Sequence, residues 1–89
     1  MKSGDLKVIT GAQVRAGRAL LRWSAEELAS RSKLGVATVR RAEALDGYIE
    51  LTPANVEAIR RTLDDAGIDF IPENGGGPGV RLKRKLENN

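Results

Sequence analysis

The sequence predicts a mainly α fold in which short helices are closed by a C-terminal β-hairpin. Three observations predict it. Helix-start signals recur at Thr10, Ser24 and Thr52, and apolar residues follow each at helical spacing. Past Gly67 the period changes from helical to two. With 89 residues, the chain holds one small domain, because a chain this short cannot support two independent cores.

Residues 1–9 form a polar lead in which Leu6, Val8 and Ile9 alternate weakly, expected as an N-terminal arm or a brief strand. Thr10 opens the first helix, with Gln13 three residues on completing a capping-box pattern. Val14, Gly17, Leu20 and Leu21 mark its apolar side, and it should stop near Arg22. Ser24 caps the second helix, with Glu27 at the reciprocal capping position and Glu26 at the positive end of the dipole. Leu28 and Ala29 face inward, and the helix runs out at about Ser32.

Lys33, Leu34 and Gly35 make a turn, and a third helix follows over roughly 36–44. Val39 and Ala42 sit on its inner side, while Val36, Ala37, Arg40, Arg41 and Ala44 form one outer stripe. The fourth helix has the clearest start, Thr52 followed by Pro53 at the first helical position. Val56, Ile59, Leu63 and Ala66 give its buried stripe, and Gly67 is the expected stop. Ile68 and Phe70, then Val80 and Leu82, alternate with polar residues around the Gly-rich turn 72–79. That turn lacks the Lys-Ser/Thr ending of a phosphate loop and opens no helix.

Composition narrows the chemistry. The chain has no cysteine and no histidine, which excludes disulfides, thiolate or imidazole metal sites, and nucleophiles that need a histidine base. No catalytic residue, metal or cofactor is expected. Glu26 and Glu27 are capping and dipole residues rather than catalytic acids. Trp23, Tyr48 and Phe70 are the whole aromatic set, too few for a single-strand stacking platform. Trp23 is read as a core plug between the first two helices. No apolar run approaches the ~20 residues of a membrane span, and the first residues lack the apolar segment of a secretory signal, so the expected location is the cytoplasm or its nucleoid.

The net charge is +3, from 15 basic against 12 acidic residues, and it favours a polyanionic partner. Its distribution says more than the total, since Arg15, Arg18, Arg22, Arg31, Lys33, Arg40 and Arg41 crowd into residues 10–45.

Between Ser24 and Ala44 the order is capped helix, short break, second helix with paired arginines. That is the layout of a helix-turn-helix, in which the second helix enters the DNA major groove. Arg18, the run Trp23-Ser24-Ala25-Glu26-Glu27-Leu28-Ala29 and the run Thr38-Val39-Arg40-Arg41-Ala42-Glu43 stand at matching mutual spacing. In these residues the stretch from Thr10 to Leu63 resembles the λ-repressor-like (XRE-type) helix-turn-helix family.

The resemblance implies four to five short helices around one core, with Leu28, Ala29, Leu34, Val39 and Ala42 holding helices two and three at a fixed angle. It implies an Arg18–Glu43 bridge behind the reading helix, and it makes Arg41 the first base-contacting candidate. Two positions depart from the family. Lys33 stands where Gly is usual, so it must adopt positive φ at a cost of ~1 kcal/mol or the turn must widen. Gly35 stands where Ser or Thr usually caps the third helix.

Arginine matches the guanine N7 and O6 edge, and methyl-bearing side chains match the thymine methyl. Arg40, Arg41, Val36 and Ala37 are therefore the base-contacting candidates, although alone the two arginines would read as a solvated helix face. Ser24, Ala25, Thr38, Tyr48 and Thr52 are the phosphate-contacting candidates. Ile68, Phe70, Val80 and Leu82 exceed what an isolated hairpin can bury, so the hairpin should pack on the helices or pair with a second copy, and these four are the candidates for dimerisation.

The organisation expected is an arm over 1–9, a DNA-binding unit over 10–66, a hairpin over 67–83 and a flexible basic tail over 84–89. The charge of the run Arg81-Leu82-Lys83-Arg84-Lys85 suits solubility or auxiliary phosphate binding equally. The expected function is sequence-specific binding of double-stranded DNA by a homodimeric transcriptional regulator, a repressor on an inverted repeat. The rivals are the antitoxin of a toxin–antitoxin pair, whose tail would hold a toxin protein, and a phage-type architectural or excision factor.

Overall fold

Each helix start signalled in the sequence is capped as its side-chain chemistry dictates. The computed structural model describes residues 9–84 and contains four helices and one two-stranded sheet. Helix α1 spans Gly11–Leu21, where the Thr10 hydroxyl accepts from the Gln13 amide and the Gln13 side chain accepts from the Thr10 amide. Helix α2 spans Ala25–Ser32 and is capped by Ser24, whose hydroxyl accepts from the Glu27 amide. The Glu27 carboxylate does not close the box; it accepts from Arg31 one turn on, at 2.6 Å. Helix α3 spans Val36–Glu43, and helix α4 spans Pro53–Asp65 behind its Thr52 cap.

Helix α1 packs on α3 and α4, and α2 packs on α3 and α4. Their shared interior is aliphatic: Val14, Leu28, Val39, Ile59 and Leu63 are fully buried. Each such side chain contributes roughly 1.5–3 kcal/mol on burial. Leu20, placed on the apolar side of α1 by spacing, is 43% exposed; Val14 and Gly17 are buried and Leu21 is half-buried. Ile9, assigned to the arm, is buried in the core. The rest of that arm and the last five residues of the tail lie outside the described residues.

Strands β1 (Ile68–Ile71) and β2 (Gly79–Leu82) pair antiparallel, with Ile68 opposite Leu82 and Phe70 opposite Val80. These four side chains share one face, because side chains along a strand alternate. The face turns inward on α1 and α4. Ile68 is 0% exposed, and Phe70, Val80 and Leu82 are half-buried against the core. Of the two ways expected for covering the hairpin, packing on the helices or pairing with a second copy, the structure has the first. Ile68 is a core residue of its own chain, and the other three are partly covered by it.

Gln13 ties the hairpin to α1. Its side-chain amide donates to the carbonyls of Ile71 (3.2 Å) and Gly79 (2.8 Å), the facing pair at the turn end of the strands. At the other end, Lys83 pairs with Asp64 of α4, and Arg60 lies between Glu57 and Asp64. The hydrogen bond from Arg60 holds the Glu57 carboxyl below its ordinary value, and that from Lys83, then Arg60, does the same for Asp64. On the outer face Arg81 pairs with Asp69 across the strands at 2.8 Å.

The start of α1 lies directly on the chain leaving α3. The Gly11 amide donates to the Gly47 carbonyl at 2.9 Å, and Thr10 bridges to Tyr48. A Cβ at Gly11 would stand 1.9 Å from the Leu45 carbonyl oxygen and 2.7 Å from that of Ala42, both backbone atoms. At Gly17 a Cβ would meet only Ile68 and Leu63 side-chain carbons, at 3.6 Å or more. Gly11→Ala should therefore destabilise the fold by at least the upper end of the ~1–3 kcal/mol typical of overpacking. Gly17→Ala should be neutral or stabilising by up to ~1 kcal/mol through helix propensity. Urea denaturation of both variants checks this, and equal losses at the two positions would contradict the close approach at Gly11.

Candidate nucleic-acid interface

Helices α1 and α2 end in the same way. Arg22 (φ 60°) and Lys33 (φ 62°) are the two non-glycine residues at positive φ among those described. Behind each, the next amide reaches back five residues: Trp23 to the Arg18 carbonyl at 2.9 Å and Leu34 to that of Ala29 at 3.0 Å. This is the Schellman pattern, completed by an apolar residue, Trp23 or Leu34, that folds onto the core. Of the two possibilities for the turn, strained or widened, the structure has the first. Lys33 takes the left-handed conformation, and three residues separate the end of α2 from the start of α3. Gly35 occupies the cap position of α3 without a side-chain hydrogen bond.

Helix α3 is two-sided. Val39 and Ala42 are buried against α1 and α2, and the small Ala29 of α2 is buried with them. Ala37, Arg40 and Arg41 are exposed. Val36 is half-buried and packs against the core, so it is partly withdrawn from the outer stripe. Arg41 makes no ion pair with any described residue. Arg40 donates to Glu26 of α2 at 2.6 Å.

The candidates for phosphate contact divide. Ser24, Tyr48 and Thr52 are exposed and Thr38 is half-buried. The Ser24 and Thr52 hydroxyls already accept from their own helices, at Glu27 and Asn55. Ala25 is only 7% exposed, its methyl turned into the core, which corrects its place on this surface.

Two arginines of α1 grip the far end of α3. Arg18 donates through Nε to Glu43 Oε2 and through Nη2 to Oε1, both at 2.8 Å, and through Nη1 to the Trp23 carbonyl at 3.0 Å. The Glu43 side chain is only 9% exposed. The hydrogen bonds to Glu43 outweigh burial and raise the Arg18 pKa above its already high ordinary value. Arg15, three residues earlier on the same helix side, donates to the Glu43 carbonyl at 2.6 Å and pairs with Asp46. Spacing from Arg18 places Arg15 on that side, but no motif singled it out.

Trp23 is half-buried, with the Arg31 guanidinium 4.5 Å above its ring. Trp23 and Arg31 line a recess with Thr62, Asp65 and Ala66, so the indole faces α4 as well as its own neighbours. Among the described residues no group of acidic side chains is placed to hold a metal ion, and no buried side-chain polar atom lacks a partner. No helix among them is long and apolar enough to cross a membrane.

No protein-family model matches the chain, and no characterised protein matches it in sequence.

The Arg18–Glu43 pair is expected to couple strongly, because its two parallel bonds are largely shielded from water. A double-mutant cycle on Arg18→Ala and Glu43→Ala, read by chemical denaturation, should give a coupling of about 1–3 kcal/mol. Zero coupling would show that the two helices are held by packing alone. Arg18→Lys should recover only part of the loss, since an ammonium cannot form the two-pronged contact.

Proposed function

We propose that the chain is a sequence-specific double-stranded DNA-binding protein, a transcriptional repressor acting as a homodimer on an inverted repeat, with α2 and α3 as its helix-turn-helix. The observation that carries this is the exposed stripe Ala37, Arg40 and Arg41 on a helix clamped from behind by Arg18 and Glu43. A base-reading helix needs both properties. Its outer side chains must be free to meet base edges, and its backbone must be fixed well enough that they meet them in register.

In this reading Arg41 donates two parallel hydrogen bonds to guanine N7 and O6, and Ala37, with the exposed part of Val36, meets thymine methyl groups. Ser24, Thr38, Tyr48 and Thr52 contact phosphates and set the register. A single short helix reads too few bases for useful specificity. Twofold pairing would place two heads about one helical turn apart, ~34 Å. With Ile68 committed to the core, any pairing through the hairpin must use its edges or the exposed parts of Phe70, Val80 and Leu82.

Arg41→Ala tests the assignment. On a site selected from random DNA it should lose ~1–3 kcal/mol of binding, while on random-sequence duplex it should lose little. Fluorescence anisotropy with both duplexes checks this. An equal loss on the two would move Arg41 from the bases to the phosphate backbone. The thermal midpoint should not change, since the side chain is exposed and makes no ion pair with any described residue.

A further inference from the structure

The two arginines on the outer side of α3 are not equivalent. Arg41 is exposed and makes no ion pair with any described residue, whereas Arg40 is drawn to Glu26 across the two helices, N to O 2.6 Å, from 14 residues along the chain. Glu26 does not need Arg40 for its local role. In the first turn of α2 it is already stabilised by the helix dipole, and its neighbour Glu27 satisfies Arg31 instead. Both side chains of the Glu26–Arg40 pair are more than half exposed, so the pair is open to exchange with another anion.

We propose that Glu26 restrains DNA binding by the α2–α3 surface, holding the Arg40 guanidinium against α2 so that any DNA phosphate or base must displace a carboxylate to engage it. The proposal rests on the DNA-binding reading above. A phosphate oxygen offers the guanidinium the same kind of contact as the carboxylate does. On random sequence the exchange brings little net gain and leaves a displaced carboxylate near the phosphates. At a matching site the bonds made by Arg41 fix the register, and Arg40 is released where a guanine edge or a well-placed phosphate awaits it. An exposed pair is the right strength for such a device. It shifts an equilibrium by up to a factor of about 5, enough to temper affinity and too little to block binding.

The test compares Glu26→Gln, Arg40→Ala and the double variant with the unchanged protein. Binding to a random-sequence duplex and to a duplex selected by the unchanged protein is followed across roughly 50–200 mM salt. Glu26→Gln should tighten random-sequence binding by about 3–5-fold. It should steepen the log–log salt slope by about 0.9, the signature of one more phosphate neutralised. Binding to the selected duplex should tighten by at least as much, because Arg40 must leave Glu26 there too. In the Arg40→Ala background most of these changes should vanish.

The same gain without Arg40 would mean that Glu26 acts only by its own charge, and tightening on the random-sequence duplex alone would mean that Arg40 does not leave Glu26 at the selected site. Either result overturns the proposal, as does a Glu26→Gln protein indistinguishable from the unchanged one. In all three cases the DNA-binding reading survives, because the unchanged protein binds. Failure of the unchanged protein to bind either duplex at any salt overturns that reading and this proposal together. Thermal melting of each variant verifies that it is folded, as expected for exposed side chains.

Discussion

The position of α3 depends on one contact, the two-pronged ion pair between Arg18 of α1 and Glu43 at its last turn. A helix of eight residues has too few internal hydrogen bonds to be stable alone, so its shape and direction are set by what it packs on. Val39 and Ala42 supply the apolar side of that packing, but apolar contact alone lets a helix slide or roll. The paired hydrogen bonds of a guanidinium are directional and stop both motions. Arg18 also holds the Trp23 carbonyl, and Arg15 holds the Glu43 carbonyl, so α1 fixes the entry to α2 and the exit from α3 together. The same arrangement neutralises the negative end of the α3 dipole with two cations.

The hairpin is a second constraint on α1. Ile68 fills the interior beside Gly17 and Leu63, and the Gln13 side chain joins the first turn of α1 to both strands. An isolated two-stranded hairpin is marginal in water, and this one is stable because the bundle supplies its other layer. Its inward face is therefore part of the fold. The Asp69–Arg81 pair on the opposite face and the strand edges remain for any contact with another molecule.

Much of this was legible in the sequence because capping and periodicity are local. Thr10, Ser24 and Thr52 start the helices, Gly67 at φ 109° follows the end of α4, and alternation places the two strands. What was not legible depends on distant contacts. No local pattern marks Gly11, whose close approach to the Ala42 and Leu45 backbone is a tertiary contact. Gln13 reads as a capping residue because its bond to Thr10 is local, while its two bonds to the hairpin span about sixty residues. Ile68 reads as surplus hydrophobic surface because nothing in a strand pattern says which layer will cover it. At the candidate interface the outer stripe was legible from helical spacing. The withdrawal of Val36 and Ala25 and the capture of Arg40 by Glu26 are tertiary effects that spacing does not encode.

The central claim, that α3 reads base edges in the context of a twofold dimer, is tested most directly by selecting bound duplexes from a random DNA pool. The account predicts an enriched palindromic consensus with half-site centres about one helical turn, ~10 bp, apart and a guanine in each half-site for Arg41. A pool that remains unenriched at low salt, or binding that ignores sequence altogether, would contradict it.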